Sequence, residues 1–206
     1  IFGTMFGLLS VFAAKINLTI FEISILISAN NLAGALSQYP VGWISDRIDR
    51  RHLITYLSIG SLISVLLVFS LGHLSFWLLV TFVSLHAAIA FPIYSISIAH
   101  MNDFMEKDEM VSASATITVI NGIGASCGPL LASFFMYLFG PYGFIIFLIV
   151  IYTVLIPFCL YRVKLGRERE FVDENRPTII VPRTASVMGV QMATDESIMR
   201  SEEDDT

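Results

Sequence analysis

A ten-residue charged stretch, Gly42-Trp43-Ile44-Ser45-Asp46-Arg47-Ile48-Asp49-Arg50-Arg51, separates two apolar runs, Ile20–Val41 and Leu53–Leu71. Each run is close to the ~20 residues that a helix needs to cross the hydrocarbon core of a bilayer. Charged side chains at a bilayer centre cost roughly 2.5–3.5 kcal/mol each on insertion scales. The charges therefore belong in a short loop at the membrane surface. The flanking runs then form a hairpin of two membrane helices with its turn on one definite side.

The rest of the chain repeats this pattern. Of its 206 residues, 55% are hydrophobic and only 14% charged, against about a quarter charged in a soluble domain. That balance places the chain in the membrane class. The net charge of −5 says little about partners, because most of the acid lies in a polar tail, and nothing in it points to nucleic acid. Cys127 and Cys159 fall inside predicted spans, where they act as small apolar thiols. Two distant cysteines make neither a disulfide framework nor a zinc site, and no metal or cofactor is expected.

Six crossings are expected, giving an all-α membrane protein. Ile1–Ala14 would reach only ~21 Å as a helix, short of the ~30 Å core. It reads as the second half of a truncated first helix in an excerpt of a longer protein. Nothing basic precedes this run, so it is not a signal peptide. Lys15–Leu18 connects it to the second span, for which Thr19-Ile20-Phe21-Glu22 has the spacing of a capping box. Asn17-Leu18-Thr19 also fits a glycosylation sequon, a three-residue pattern too common to carry weight. Further spans are expected over Leu53–Leu71, Phe76–Ala99, Val111–Phe139 and Phe144–Val163. Gly72–Ser75, the polar 100–110 stretch and Gly140–Gly143 serve as the turns. Pro92 lies inside the fourth span, where proline is tolerated with a kink if neighbours satisfy the freed carbonyl.

Orientation follows from basic residues. Counting alternate connections, one side holds Arg47, Arg50, Arg51, Lys107, Arg162, Lys164, Arg167 and Arg169, and the other only Lys15. The positive-inside rule makes the first side cytoplasmic, and with it the C-terminus. Residues 1–163 thus form a transmembrane half-bundle and residues 164–206 a polar cytoplasmic tail. That tail carries Pro177, Pro182 and the acidic end Glu202–Asp205, a composition that favours disorder. Its Arg183-Thr184-Ala185-Ser186 resembles a kinase site in a pattern too short to use.

Three constellations bear on function. In the charged loop, Gly42 allows close backbone approach. Asp46 can face the positive N-terminus of another helix, and Arg47, Arg50 and Arg51 can pair with acids or lipid phosphates. In the fifth span, Gly124-x-x-x-Gly128 permits tight helix contact, and Gly128-Pro129 gives a bend. The same stretch, Gly124-Ala125-Ser126-Cys127-Gly128, satisfies the hydrolase pattern glycine-x-serine-x-glycine. That motif requires a strand, a strained turn and a helix, and a long apolar helix supplies none of this context. With no acid placed to orient His86 or His100, the chain is not read as an enzyme.

The third constellation is a set of polar residues at mid-membrane depth. Asn30 and Asn31 lie in the second span, His86 and Tyr94 in the fourth and Asn121 in the fifth. By helical spacing, Asn30, Gly34 and Ser37 share one face, His86, Ala90, Tyr94 and Ser97 another, and Asn121, Gly124 and Gly128 a third. Each asparagine alone is expected to be interhelical glue worth about 1 kcal/mol. Three helices with polar midpoints suit a shared water-filled cavity, with His86 the one group titrating near neutral pH.

The charged loop resembles the signature loop of the major facilitator superfamily, glycine-x-x-x-aspartate-arginine-x-glycine-arginine-arginine, with Asp49 in place of the second glycine. Phe91–Ser95, Ala99–Asp103, Ser112–Ala115 and Gly128–Leu131 extend the resemblance to the C-terminal half of bacterial permeases of this superfamily, in a YcaD-like subgroup. It covers about Ile1–Val163 and implies helices seven to twelve of a twelve-helix protein in the bacterial inner membrane, with an N-terminal six-helix half as partner. It further implies a small-molecule solute bound near the midplane, carried by alternating access. The Gly42–Arg51 loop would then be a conformational latch, and the Gly34 and Gly128 faces would pack on the other half. Two alternatives are a half-transporter that dimerises and a membrane scaffold whose acidic tail recruits a partner.

Overall fold

The computed structural model describes residues 2–102 and 110–174. Six helices follow one another: α1 (Phe2–Lys15), α2 (Ile20–Ser45), α3 (Arg50–Leu71), α4 (Phe76–Asn102), α5 (Met110–Phe139) and α6 (Gly143–Glu174). Five of them are long and apolar enough to cross a membrane, and α1 is a shorter apolar helix. This is the expected all-α membrane architecture. The acidic 103–109 stretch with Lys107, and the tail from 175 with its prolines and acidic end, lie outside the described residues.

Local chemistry sets the helix boundaries. Asn17 adopts a left-handed φ of 63° and closes α1. Its N–H donates to the Ala14 carbonyl at 3.1 Å, and that of Leu18 to Ala13 at 3.2 Å, which is the Schellman pattern with asparagine at the left-handed position. Thr19 then opens α2 with a full capping box. The Glu22 N–H donates to the Thr19 hydroxyl at 3.3 Å and the Thr19 N–H to the Glu22 carboxylate at 2.9 Å. Gly140, at φ 69°, ends α5 where the turn is expected.

Two boundaries differ most from expectation. Helix α2 continues through Pro40 and Gly42 to Ser45, so the loop shrinks from ten residues to 46–49. A proline costs a helix the N–H that would bond the fourth carbonyl back and does not forbid the residues after it. Helix α6 outlasts its apolar run and reaches Glu174. Residues 164–174 are rich in Lys, Arg and Glu, all strong helix formers, so helix propensity carries on where hydropathy stops. By contact density the chain divides into Ile1–Val163 and Lys164–Thr206.

Within the first unit, α4 packs most extensively on α2 and α3, and α1 packs on α5. The core draws on Met5, Leu9, Phe12, Leu26, Val65, Val83, Ile145 and Tyr152 among others. In lipid, association depends on close packing and polar pairs more than on hydrophobicity, and small residues supply it. Gly34 lies against the Phe91 ring, with no room for a Cβ. Gly3 and Gly7 of α1 face Ala125 and Pro129 of α5, and Gly128 of α5 faces Thr4.

Candidate functional site

The turn between α2 and α3 assembles its charges by helix-end chemistry. Asp46 is the C-cap of α2. Arg47 folds back on its own helix: its guanidinium carbon sits 3.4 Å from the centroid of the Trp43 ring, and it donates to the Trp43 carbonyl at 2.8 Å. Cation–π stacking and an otherwise orphaned last-turn carbonyl are satisfied together. Asp49, in the place of the signature's second glycine, is the N-cap of α3. It accepts from the Arg51 N–H at 2.9 Å and pairs with His52 at 3.3 Å. The aspartate thus performs a capping task that glycine does less well.

Arg50 reaches furthest. Its guanidinium lies 3.5 Å from the Asp46 carboxylate and donates to the Ala99 carbonyl at 2.8 Å. Ala99 is among the last four residues of α4, whose carbonyls lack intrahelical donors and carry the negative end of the helix dipole. One side chain therefore ties the end of α2 and the start of α3 to the end of α4. The Asp46 side chain is 72% exposed. It caps the C-terminus of α2 and pairs with Arg50, where the N-terminus of another helix was the expected partner.

The mid-membrane polar residues do not converge on one cavity. Asn30 is buried on the face of α2 that also buries Leu26 and Gly34, and its amide donates to the Asn31 side-chain oxygen at 3.3 Å. His86 is 1% exposed. Its Nε2 lies 2.9 Å from the Tyr152 hydroxyl of α6, and the rings meet edge to face at 5.7 Å. The small cavity beside His86 has otherwise apolar walls, including Met5, Phe12, Val65 and Phe144. Tyr94 and Asn121 are exposed and Asn31 is half-buried. Asn121 and Gly124 continue the Gly128 face of α5 past the part that α1 covers, so Gly124 stands in open space. Gly34 and Gly128 pack within this bundle, on Phe91 and Thr4, rather than on a further half. Their open sides are already filled by the nearest neighbours in the chain's own topology.

Ser126 is an ordinary helical serine whose hydroxyl donates to the Gly122 carbonyl at 3.0 Å, so the hydrolase geometry does not form. Among the described residues no cluster of His, Cys, Asp or Glu could hold a metal.

Several contributors escaped the sequence reading. Tyr152, fully buried at mid-span, was hidden in an unbroken apolar run, although a buried phenol needs a partner. Ser58, Ser61 and Ser64 form a buried stripe on α3, visible as serines three apart. Gly3 and Gly7 were legible as a small-x-x-x-small pair. The Ala99 carbonyl left no sequence signal, because a backbone acceptor has none.

A six-helix membrane bundle with a capped, arginine-clasped turn between its second and third helices is the class that this geometry defines. The family model for the Major Facilitator Superfamily matches residues 1–193, and the chain belongs to that family of transporters. Comparison with curated proteins and with solved structures produced no match.

Proposed function

We propose that the chain carries a small solute across the membrane by alternating access, as one six-helix half working against a second. The observation that carries this reading is the Arg50 clasp. An ion pair with a mostly exposed carboxylate is worth only about 0–1 kcal/mol, and a hydrogen bond to a charged group about 1.5–3 kcal/mol. Such a joint can be made and broken within a transport cycle, which suits a latch better than a permanent weld. The positive-inside pattern supports a cytoplasmic side for the clasp and the C-terminus, and the resemblance to bacterial permeases supports a bacterial inner membrane.

Of the five polar candidates, Asn31, Tyr94 and Asn121 are those a solute could touch, since Asn30 and His86 are buried by their own neighbours. Tyr94→Cys, in a background with Cys127 and Cys159 replaced by alanine, tests the reading. A membrane-impermeant maleimide should label it both in right-side-out and in inverted vesicles. Adding Asp46→Asn should shift that labelling strongly toward one side while membrane insertion is unchanged. Labelling from a single side in the parent would overturn alternating access, and two-sided labelling indifferent to Asp46→Asn would remove the latch.

A further inference from the structure

Helix α2 has three faces. One, with Leu26, Asn30 and Gly34, is buried in the bundle. A second, with Phe21, Leu32, Leu36 and Trp43, is apolar and exposed. The third holds Ser24, Ser28, Asn31, Ala35, Gln38 and Gly42, whose spacings alternate between four and three residues and so put them on one line. Ser24, Ser28, Ala35 and Gln38 are exposed, and Asn31 and Gly42 half-buried. A Cβ added at Gly42 would meet nothing. From Ser24 to Gln38 the line runs ~21 Å along the helix, most of the ~30 Å hydrocarbon core. Lipid tails offer hydroxyls and amides no hydrogen bond, so this line has to face water, solute or protein.

The buried neighbour of the line separates these cases. Asn30, 3% exposed, donates its amide to the Asn31 Oδ1 at 3.3 Å, while its own Oδ1 has no partner among the described residues. A buried acceptor left unmet is unfavourable, and what it secures is the setting of an amide on the open line. Asn31 has its oxygen held and its NH2 left to donate. Asn31 and Gln38 are also too long for the close backbone approach that serine, alanine and glycine alone would permit against another helix. The groups on the line are uncharged, and each hydroxyl and amide both donates and accepts. From Ile23 to Ser45, α2 carries no Asp, Glu, Lys or Arg, and α4 and α5 carry none at all. A charged solute out of bulk water needs a partner of opposite charge, which this face does not supply. A row of solute hydroxyls matches it group for group.

We propose that this line of α2 reads the cargo: Asn31, at its midpoint, holds an uncharged, polyhydroxylated solute. This rests on the transport reading and adds to it the chemical class of what is carried. Cysteine labelling in the full chain, with Cys127 and Cys159 replaced by alanine, tests it. Ser28→Cys and Ala35→Cys, one turn to either side of Asn31, should react with a membrane-impermeant maleimide from at least one side of the membrane. Leu36→Cys, on the apolar face, should not. Xylitol or glucose should slow labelling at both line positions, and lactate and choline should not.

Adding Asn31→Leu should raise the concentration needed for half-protection by up to about tenfold, as for one lost neutral hydrogen bond. The labelling rate without solute should stay the same, and Asn31→Gln should keep most of the protection. An unreactive line would mean that α2 packs on another helix there, and would overturn the proposal. So would labelling of Leu36→Cys at the rate of the line, protection by lactate or choline, no protection by xylitol or glucose, or protection indifferent to Asn31→Leu. If the proposal fails while Tyr94→Cys still labels from both sides, the transport reading stands with a different cargo; one-sided labelling of Tyr94→Cys sinks that reading separately.

Discussion

Arg47, Arg50 and Arg51 lie within five residues, yet the structure gives them separate tasks. Arg47 is spent on its own helix, over Trp43. Arg51 supplies the backbone N–H that Asp49 caps, and Arg50 crosses to another helix. The charge pattern was legible in the sequence; this division was not, because it depends on where each helix ends. Glycines divide in the same way. A methyl group on Gly34 would collide with the Phe91 ring, while one on Gly124 meets nothing within 4 Å. Overpacking of this kind costs typically about 1–3 kcal/mol, whereas alanine gains up to about 1 kcal/mol over glycine in a helix. Gly34→Ala should therefore lower the denaturation midpoint in mixed micelles, and Gly124→Ala should leave it unchanged or raise it. Equal effects at the two positions would contradict the packing described for Gly34.

At the scale of the element, the helices were the most readable feature, since long apolar runs in lipid have little choice but to satisfy their backbone internally. Their ends were readable only where a side chain does the capping. Thr19 and Glu22 announced the start of α2, and the capping box forms there. The end of α2 was placed too early, because the charged stretch was assigned whole to the loop, whereas the helix runs on through Pro40 and Gly42 to Ser45. The end of α6 was placed too early because hydropathy stops before helix propensity does. Losing an N-cap threonine costs typically about 1 kcal/mol. Thr19→Ala should show a loss of that order in the same micelle titration, with faster proteolysis at the α1–α2 turn, and Thr19→Ser should restore most of it. No change in either variant would mean that packing of α2 on α4 alone fixes that boundary.

For the whole molecule, the sequence conveyed the number of helices and the family, and missed how the polar midpoints are arranged. Periodicity tells which residues share a face of one helix. It does not tell which face a neighbouring helix covers. Hence His86 and Tyr94, on one stripe, end up respectively buried and exposed. The expected orientation makes a direct prediction. Ile48→Cys, in the α2–α3 turn, should resist an impermeant maleimide in intact cells and react once the membrane is opened. His73→Cys, in the α3–α4 turn, should react in intact cells. The reverse pattern would turn the bundle over and place the arginine turn outside.

One detail of the Arg50 contact shapes how this protein can vary. Its acceptor on α4 is a main-chain oxygen, common to every amino acid, so exchanging the Ala99 side chain deletes no part of the bond. This bond to α4 is open to mutation from one end only. Position 99 is free to drift in size and polarity as its surroundings demand, while position 50 must keep an arm long enough and a head able to donate in two directions at once.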